Sequence, residues 1–378
     1  MAAPISLPVA FMRGGTSKAL VFHARDLPPL HSDGQRAAWS DVFLRALGSP
    51  DPNGRQLNGM GGGLSSLSKV AVVGPATRAD ADVDYTFAQV GIGDTAVGYR
   101  GNCGNISAAI GPFAVDEGLI APHKGRATVR IHNTNTGKII VADFEVLDGR
   151  AAIEGDFAIQ GVSGTGAPIR LAFQQPGGAA TGRLFPTGEA VDRLDISGYP
   201  RLPVTLLDVS NPVVFVAATE LGLRGDEAPA DLAANASLIQ TFEDIRSAAA
   251  VAMGLVPSEV EARTKLKNLP LVALLSRPSD ESCDIVTRMV STGQPHKATP
   301  LTGAMCLAAA VKLPGTIAHQ LARISEPGAD VRIAHASGIL PVSATVRKQD
   351  NTFEVTEAVV YRTARRLMDG RVYLAPSH

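Results

Sequence analysis

At 378 residues the chain is long enough for two domains around a large buried core. Lys and Arg total 35 against 36 Asp and Glu, a formal net charge of −1, so no overall charge directs the chain to nucleic acid or to an anionic membrane surface. Three cysteines without CxxC spacing, and eight histidines without HxxxH or HExxH spacing, exclude a disulfide framework and a dedicated metal site, and they imply reduced thiols.

Ala2 to Met12 carries Pro4 and Pro8 and is followed at once by Arg13, which does not read as a secretory signal. No later apolar run is long enough to span a bilayer, so a cytoplasmic location is expected. Ile5 to Met12 reads as an opening strand. It enters a hairpin, Arg13-Gly14-Gly15-Thr16-Ser17-Lys18, that crowds two cations and two hydroxyls before the apolar Ala19 to Phe22 resumes. Ser32 is a candidate cap for a helix through Leu47, with Trp39, Val42, Phe43 and Ala46 on one face and Gly48 as its stop.

The run Gly59-Met60-Gly61-Gly62-Gly63-Leu64-Ser65-Ser66-Leu67-Ser68-Lys69 leads into a strand over Val70 to Val73. It matches neither GxxxxGK[ST] nor a GxGxxG that opens a helix, so it is not read as a phosphate cradle. Glycines in such number suit close approach of backbone to a ligand, with Lys69 pointing at it. A solvated surface lysine is the ordinary alternative.

Asp84 to Val90, Ala127 to Ile131 and Lys138 to Val146 read as strands. Between the first two lies Gly101-Asn102-Cys103-Gly104-Asn105, a small polar turn, followed by the apolar Ile106 to Val115. A helix with no polar face must be buried on all sides. Cys103 falls at its first turn, where free backbone N–H groups suit an anion and the helix dipole favours a thiolate. The plainer alternative is an inert buried cysteine.

Loops rich in Gly and Pro over Gly161 to Pro168 and Gln174 to Gly182 precede a domain boundary expected near Pro186 to Gly188, giving domains 1–186 and 187–378. The second half follows the plan of the first. Leu202 to Asp208 and Val213 to Ala218 are strands about Ser210-Asn211-Pro212, and Asp231 to Met253 is one long helix ended by Gly254. Leu271 to Leu275 and Ile285 to Met289 are short strands. Thr302-Gly303 opens a second short apolar helix through Val311, the counterpart of the Cys103 helix. Two buried helices entered through small residues suggest a pseudo-twofold chain in which both helix N-termini meet carboxylates. Asp330 to Ile333, Leu340 to Val346 and Thr352 to Arg362 complete the strands, with a turn at His335 to Gly338.

Met12 to Lys18 (MRGGTSK), Gly59 to Gly62 with Ser68-Lys69, Gly101 to Asn105 (GNCGN), Asn211-Pro212, Thr302-Gly303-Ala304, and His335 with Ser337-Gly338 together resemble the 2-methylaconitate cis-trans isomerase (PrpF) family, in family order over nearly the whole chain. The resemblance implies the α+β fold of diaminopimelate epimerase and proline racemase: two domains, each a β-barrel-like sheet around a central helix, with the active site in the cleft between them. It implies cofactor-independent proton transfer on a small unsaturated polycarboxylate, with no metal, and it is compatible with a homodimer. Lys69 and Cys103 match the family's acid/base pair, and their order of action is open. Arg13, Ser17, Lys18, Met60, Gly61, Ser65, Ser66, Asn102, Gly104, Asn105, Asn211, Thr302 and Gly303 are the candidate substrate-binding residues.

For Lys69 to act as a neutral base its pKa must be lowered, and Arg13 and Lys18 are the expected neighbouring charges. Two departures from the family stand out: Asn58, where Asp is common, and Ala19, where Gly is usual. The favoured activity is isomerisation of an aconitate-type tricarboxylate. A 4-oxalomesaconate tautomerase or 1,3-allylic isomerase is the alternative. An amino-acid racemase with two opposed thiols is disfavoured by the position of Cys306 within the second helix, and a non-catalytic carboxylate-binding protein is the remaining choice.

Overall fold

Alternation of apolar side chains over Ser6–Gly14 (β1) and Ser17–His23 (β2), with only Gly15-Thr16 between them, closes the opening hairpin, Arg13 opposite Lys18 and Gly14 opposite Ser17. A computed structural model describes residues 5–30, 36–99, 101–123, 125–323, 329–350 and 352–375, and the expected helix start at Ser32 lies outside them. The described residues form a mixed α/β structure that is mostly sheet.

The chain divides into two units, one of Met1–Leu171 with Tyr361–His378 and one of Ala172–Val360. The expected boundary near Pro186 falls inside the second unit, and the chain returns at its end to the first. The returning strand, Ala364–Tyr373, pairs antiparallel with β1 along most of its length. It carries Arg365, Arg366 and Asp369 among its apolar residues, a mixed pattern without the alternation that marks a strand in sequence.

In the first unit β2 runs parallel to Lys69–Pro75 (β3), which pairs antiparallel with Val83–Val90 (β4). The short Val97–Gly98 (β5) follows; β4 also runs parallel to Arg126–Asn133 (β6), itself antiparallel to Lys138–Leu147 (β7). Helix α1, Ala37–Leu47, stops at Gly48 in the left-handed conformation, as expected, and packs Trp39, Val42 and Phe43 against Leu20, Phe22, Val70 and Val72 on one sheet face. Helix α2, Gly104–Asp116, takes the other face, and its residues Gly104 to Val115 are all buried. Gly111 lets it press on that sheet, since a methyl group there would lie 2.7 Å from the Phe144 ring.

The second unit repeats the order of pairings. Tyr199–Val209 and Asn211–Ala217 are antiparallel; Leu271–Ser276 is parallel to the latter; Ile285–Ser291 is antiparallel; Val331–His335 is parallel; Gly338–Gln349 is antiparallel. The buried helix Leu301–Lys312 falls between the fourth and fifth strands, as α2 does between β4 and β6. It starts at Leu301, so Thr302-Gly303 form part of its first turn rather than a turn before it. The long helix expected over Asp231 to Met253 is broken: Pro229–Ala234 ends at Asn235, whose side chain accepts from Leu238 N and caps Ala236–Ala252. Among the described residues no helix is long and apolar enough to cross a membrane.

Candidate active site

Strand periodicity decides which of the sequence candidates meet in the first unit. Successive strand residues point to opposite faces, so Gly14, Ser17, Ala19, Lys69 and Gln89 share the face that α2 covers. The face is identified by contacts to α2 itself: the His23 ring lies 5.0 Å from that of Phe113, and a methyl group on Gly14 would fall 2.5 Å from the Asn105 carbonyl oxygen. Gly15, at φ +51°, would bring its own methyl group to 2.1 Å from Asn105 Oδ1. Both glycines of the hairpin are therefore required for the first turn of α2 to sit under it.

Lys69 opens β3 and is 8% exposed. Its Nζ donates to Gln89 Oε1, directly opposite on β4, and lies 5.2 Å from the centre of the Phe87 ring. Gln89 is held in turn, its Nε2 donating to the Ser68 carbonyl at 2.9 Å and the Ser65 carbonyl at 3.1 Å. Burial pushes the Lys69 ammonium below the usual lysine range, and the charge of Cys103 acts in the opposite sense. The Lys69 amine and the Cys103 sulfur are thus electrostatic neighbours.

The expected source of that lowering was different. Arg13 and Lys18 occupy the opposite sheet face, where Lys18 Nζ sits 5.4 Å from the centre of the Phe11 ring and Arg13 Nη1 donates to the carbonyls of Gly15 and Thr363. Hairpin alternation sends Ser17 to the α2 face and Lys18, with Arg13 opposite it, to the other. Desolvation, not adjacent positive charge, disfavours the Lys69 ammonium.

Cys103 is the N-cap of α2, in extended conformation and partly exposed. Its carbonyl accepts from Ser107 N at 2.9 Å and Ser107 Oγ at 3.1 Å. Asn102 and Asn105, both expected to bind substrate, serve as struts here. Asn102 Oδ1 accepts from Ser107 Oγ at 3.3 Å and Asn133 Nδ2 at 3.5 Å, and Asn105 Nδ2 donates to Thr16 Oγ1 at 3.2 Å. Gly104 is buried in the first turn.

The glycine run packs on the protein's own chain. A methyl group would meet Gly48 N at 2.2 Å from Gly59, the Gln56 side chain at 2.3 Å from Gly61, and Leu67 at 2.7 Å from Gly62. Met60 is half-buried against the cluster around α1, and Asn58 is exposed. Ser65 and Ser66 lie in a short 3-10 turn, and Ser65 reaches the site through its carbonyl.

In the second unit Asn211 Nδ2 donates to Thr302 Oγ1 at 3.0 Å, joining two candidates, and Gly303 faces Met289 and Leu271. Cys306 Sγ points at the Leu207 carbonyl, 3.6 Å away, and burial pushes its thiol far up. Among the described residues no three His, Cys, Asp or Glu side chains come together to hold a metal ion.

Three contributors were missed. Gln89 was hidden as the polar member of an inward-facing row, Tyr85, Phe87 and Gln89. Asn133-Thr134-Asn135 falls between the strands expected over Ala127 to Ile131 and Lys138 to Val146, yet Asn135 pairs with Phe87 as a strand would, accepting from its N–H at 2.8 Å and donating to its carbonyl at 2.8 Å. Arg362, at the end of a predicted strand, donates from Nε to Asn105 Oδ1 at 3.1 Å.

The model of the PrpF protein family matches residues 4–375. The chain is 40% identical over 386 residues to 3-methylitaconate isomerase of Eubacterium barkeri, covering 99% of this chain and 98% of that one. It is 36% identical to 2-methyl-aconitate isomerase of Cupriavidus necator, covering 97% of each, and 37% identical to (4E)-oxalomesaconate Delta-isomerase of Novosphingobium sp. (strain KA1), covering 98% of each. Among solved structures, a methylitaconate-delta-isomerase superposes with a TM-score of 0.79 at 39% identity over the full length of both chains. A hydroxyproline epimerase from Agrobacterium vitis superposes at 0.59 with 12% identity, covering 100% of this chain and 95% of that one, a likeness of fold alone. With a family model spanning nearly the whole chain and relatives of this similarity all named isomerases, the chain belongs to the PrpF family and is an isomerase.

Proposed function

We propose that the protein is a cofactor-independent proton-transfer isomerase of a small unsaturated tricarboxylate, with Lys69 and Cys103 as its acid/base pair. The observation that carries this reading is the buried Lys69 amine, bonded to the neutral Gln89 and electrostatically coupled to the thiol at the N-cap of α2. Burial favours the neutral amine, the form able to accept a proton. Lys69 takes the proton from a carbon adjacent to the double bond. The electron pair left behind is delocalised through that double bond into a carboxylate, and the Cys103 thiol returns a proton at the far end of the conjugated system. The first-turn N–H groups of α2 stabilise the charge that develops on the carboxylate.

We read each half as a barrel-like sheet around its central helix, α2 in one and Leu301–Lys312 in the other; the recurring order of strand pairings supports this. Ser17, on the α2 face, is retained as a substrate contact. A 4-oxalomesaconate isomerase is the second reading, favoured by the name of the Novosphingobium relative.

The test is NMR in D₂O with cis- and trans-aconitate, 2-methylaconitate, methylitaconate and 4-oxalomesaconate, following deuterium incorporation and double-bond position. Isomerisation of an aconitate-type acid supports the first reading. Turnover of 4-oxalomesaconate alone supports the second, and a folded protein inert toward the whole panel would overturn both.

A further inference from the structure

Strand Ala364–Tyr373 and the residues just before it carry two arginines on the α2 face, Arg362 and Arg366, near opposite ends of the helix. Arg366 lies where the helix dipole welcomes a cation, and its Nη1 meets Glu117 at 2.7 Å while its Nε lies 3.6 Å from Asp116. Arg362 lies at the first turn, where the dipole opposes a cation. It is 5% exposed. Its Nε donates to Asn105 Oδ1 at 3.1 Å and its Nη1 to the Tyr361 carbonyl at 2.9 Å, both neutral acceptors. Among the described residues Nη2 donates to no group, and no carboxylate pairs with the guanidinium. The N–H groups of Gly104 and Asn105 likewise find no acceptor among them.

We propose that Arg362 and the first-turn N–H groups of α2 together bind one carboxylate of the substrate. The proposal rests on the reading given under Proposed function and adds to it a binding residue that the sequence motifs did not contain. A buried cation at a positive helix end, without a counter-ion, is an expensive arrangement. Burial alone lowers this guanidinium to about 10. An arriving carboxylate relieves both penalties at once, and the planar fork of arginine fits it while Nε stays on Asn105. Asn105 thereby fixes the guanidinium beside the turn whose N-cap is Cys103.

The experiment compares the full-length wild type with Arg362→Gln and Arg362→Lys. Calorimetry measures binding of tricarballylate, a saturated tricarboxylate that cannot react. The KM and kcat of whichever panel acid turns over, and Tm, are measured alongside. Arg362→Gln is expected to weaken tricarballylate binding about 100-fold and to raise KM more than it lowers kcat, with Arg362→Lys affected less because it keeps the charge. Unchanged binding and KM in a folded Arg362→Gln would overturn the proposal, as would equal losses of binding and Tm in both variants, the mark of a purely structural arginine. If Arg362→Gln does not fold, wild-type affinity in a folded Arg362→Lys, together with stabilisation of the wild type by the uncharged triamide of the ligand as much as by tricarballylate, would also overturn it. A wild type that binds tricarballylate through Arg362 but isomerises nothing would remove the functional reading and leave this site standing. Turnover with an unaltered KM in Arg362→Gln would do the reverse.

Discussion

Lys69 and Gln89 face each other across β3 and β4, and the amine of one donates to the side-chain carbonyl of the other. The acceptor is neutral. An amide satisfies the amine without a charge that would hold it protonated, so burial outweighs the opposing charge of Cys103 and lowers its pKa.

Replacing that amide by a carboxylate restores the missing charge. In Gln89→Glu the Lys69 pKa is expected to rise, because a carboxylate beside the amine favours its charged form. The acidic limb of the pH–rate profile moves upward with it and activity near neutrality falls. A limb that stays in place in a folded variant would show that Lys69 is not the titrating base.

Lys69→Met and Cys103→Ala are each expected to lower kcat by about 100- to 10,000-fold with the fold intact by circular dichroism. Deuterium exchange into a bound acid separates the two roles: the variant that still exchanges one position without isomerising has lost only the reprotonating group. Near-normal turnover in both would remove the assignment.

The lowered Lys69 pKa also sets a pH dependence of stability. Between the folded value and the unfolded 10.5, the unfolded chain holds the proton and the folded chain does not, so stability rises with pH through that window. Below the folded value, the cost of burying an ammonium is carried in full. Lys69→Met lacks this cost, so its Tm is expected to exceed that of the wild type near neutrality, with the gap closing toward pH 10.5. Thermal melts of both proteins across that range decide the point.

Gly14→Ala places a methyl group 2.5 Å from the Asn105 carbonyl oxygen, where backbone must give way. A loss of about 1–3 kcal/mol is expected, together with a raised KM as the first turn of α2 shifts. Denaturant unfolding and steady-state kinetics measure the two effects.

Asn135→Ala leaves the N–H and carbonyl of Phe87 without the side chain that now pairs with both. A loss of about 1–3 kcal/mol per unsatisfied buried group is expected. Because Phe87 and Gln89 share β4 and one face, kcat should fall with it, which the isomerase assay reads directly.

The elements whose physics is local could be read from residue order alone. An apolar run without a polar face had to be a buried helix, small residues at its entry had to make its first turn, and residue order alone put Cys103 at that turn and Lys69 at the start of a strand. The MRGGTSK hairpin was equally visible, but as seven adjacent residues it read as a single cluster. Only the pleat divided it, Ser17 to the α2 face and Arg13 and Lys18 to the other, since neighbours in a strand point oppositely. The remaining contributors depend on partners distant along the chain. Gln89 matters because register sets it opposite Lys69, Asn135 because it completes the hydrogen bonding of a strand 48 residues away, and Arg362 because the chain's end returns to β1 and sets a cation against the first turn of α2, 257 residues back. Periodicity and composition report what a residue prefers, whereas pairing register and chain return decide what it meets.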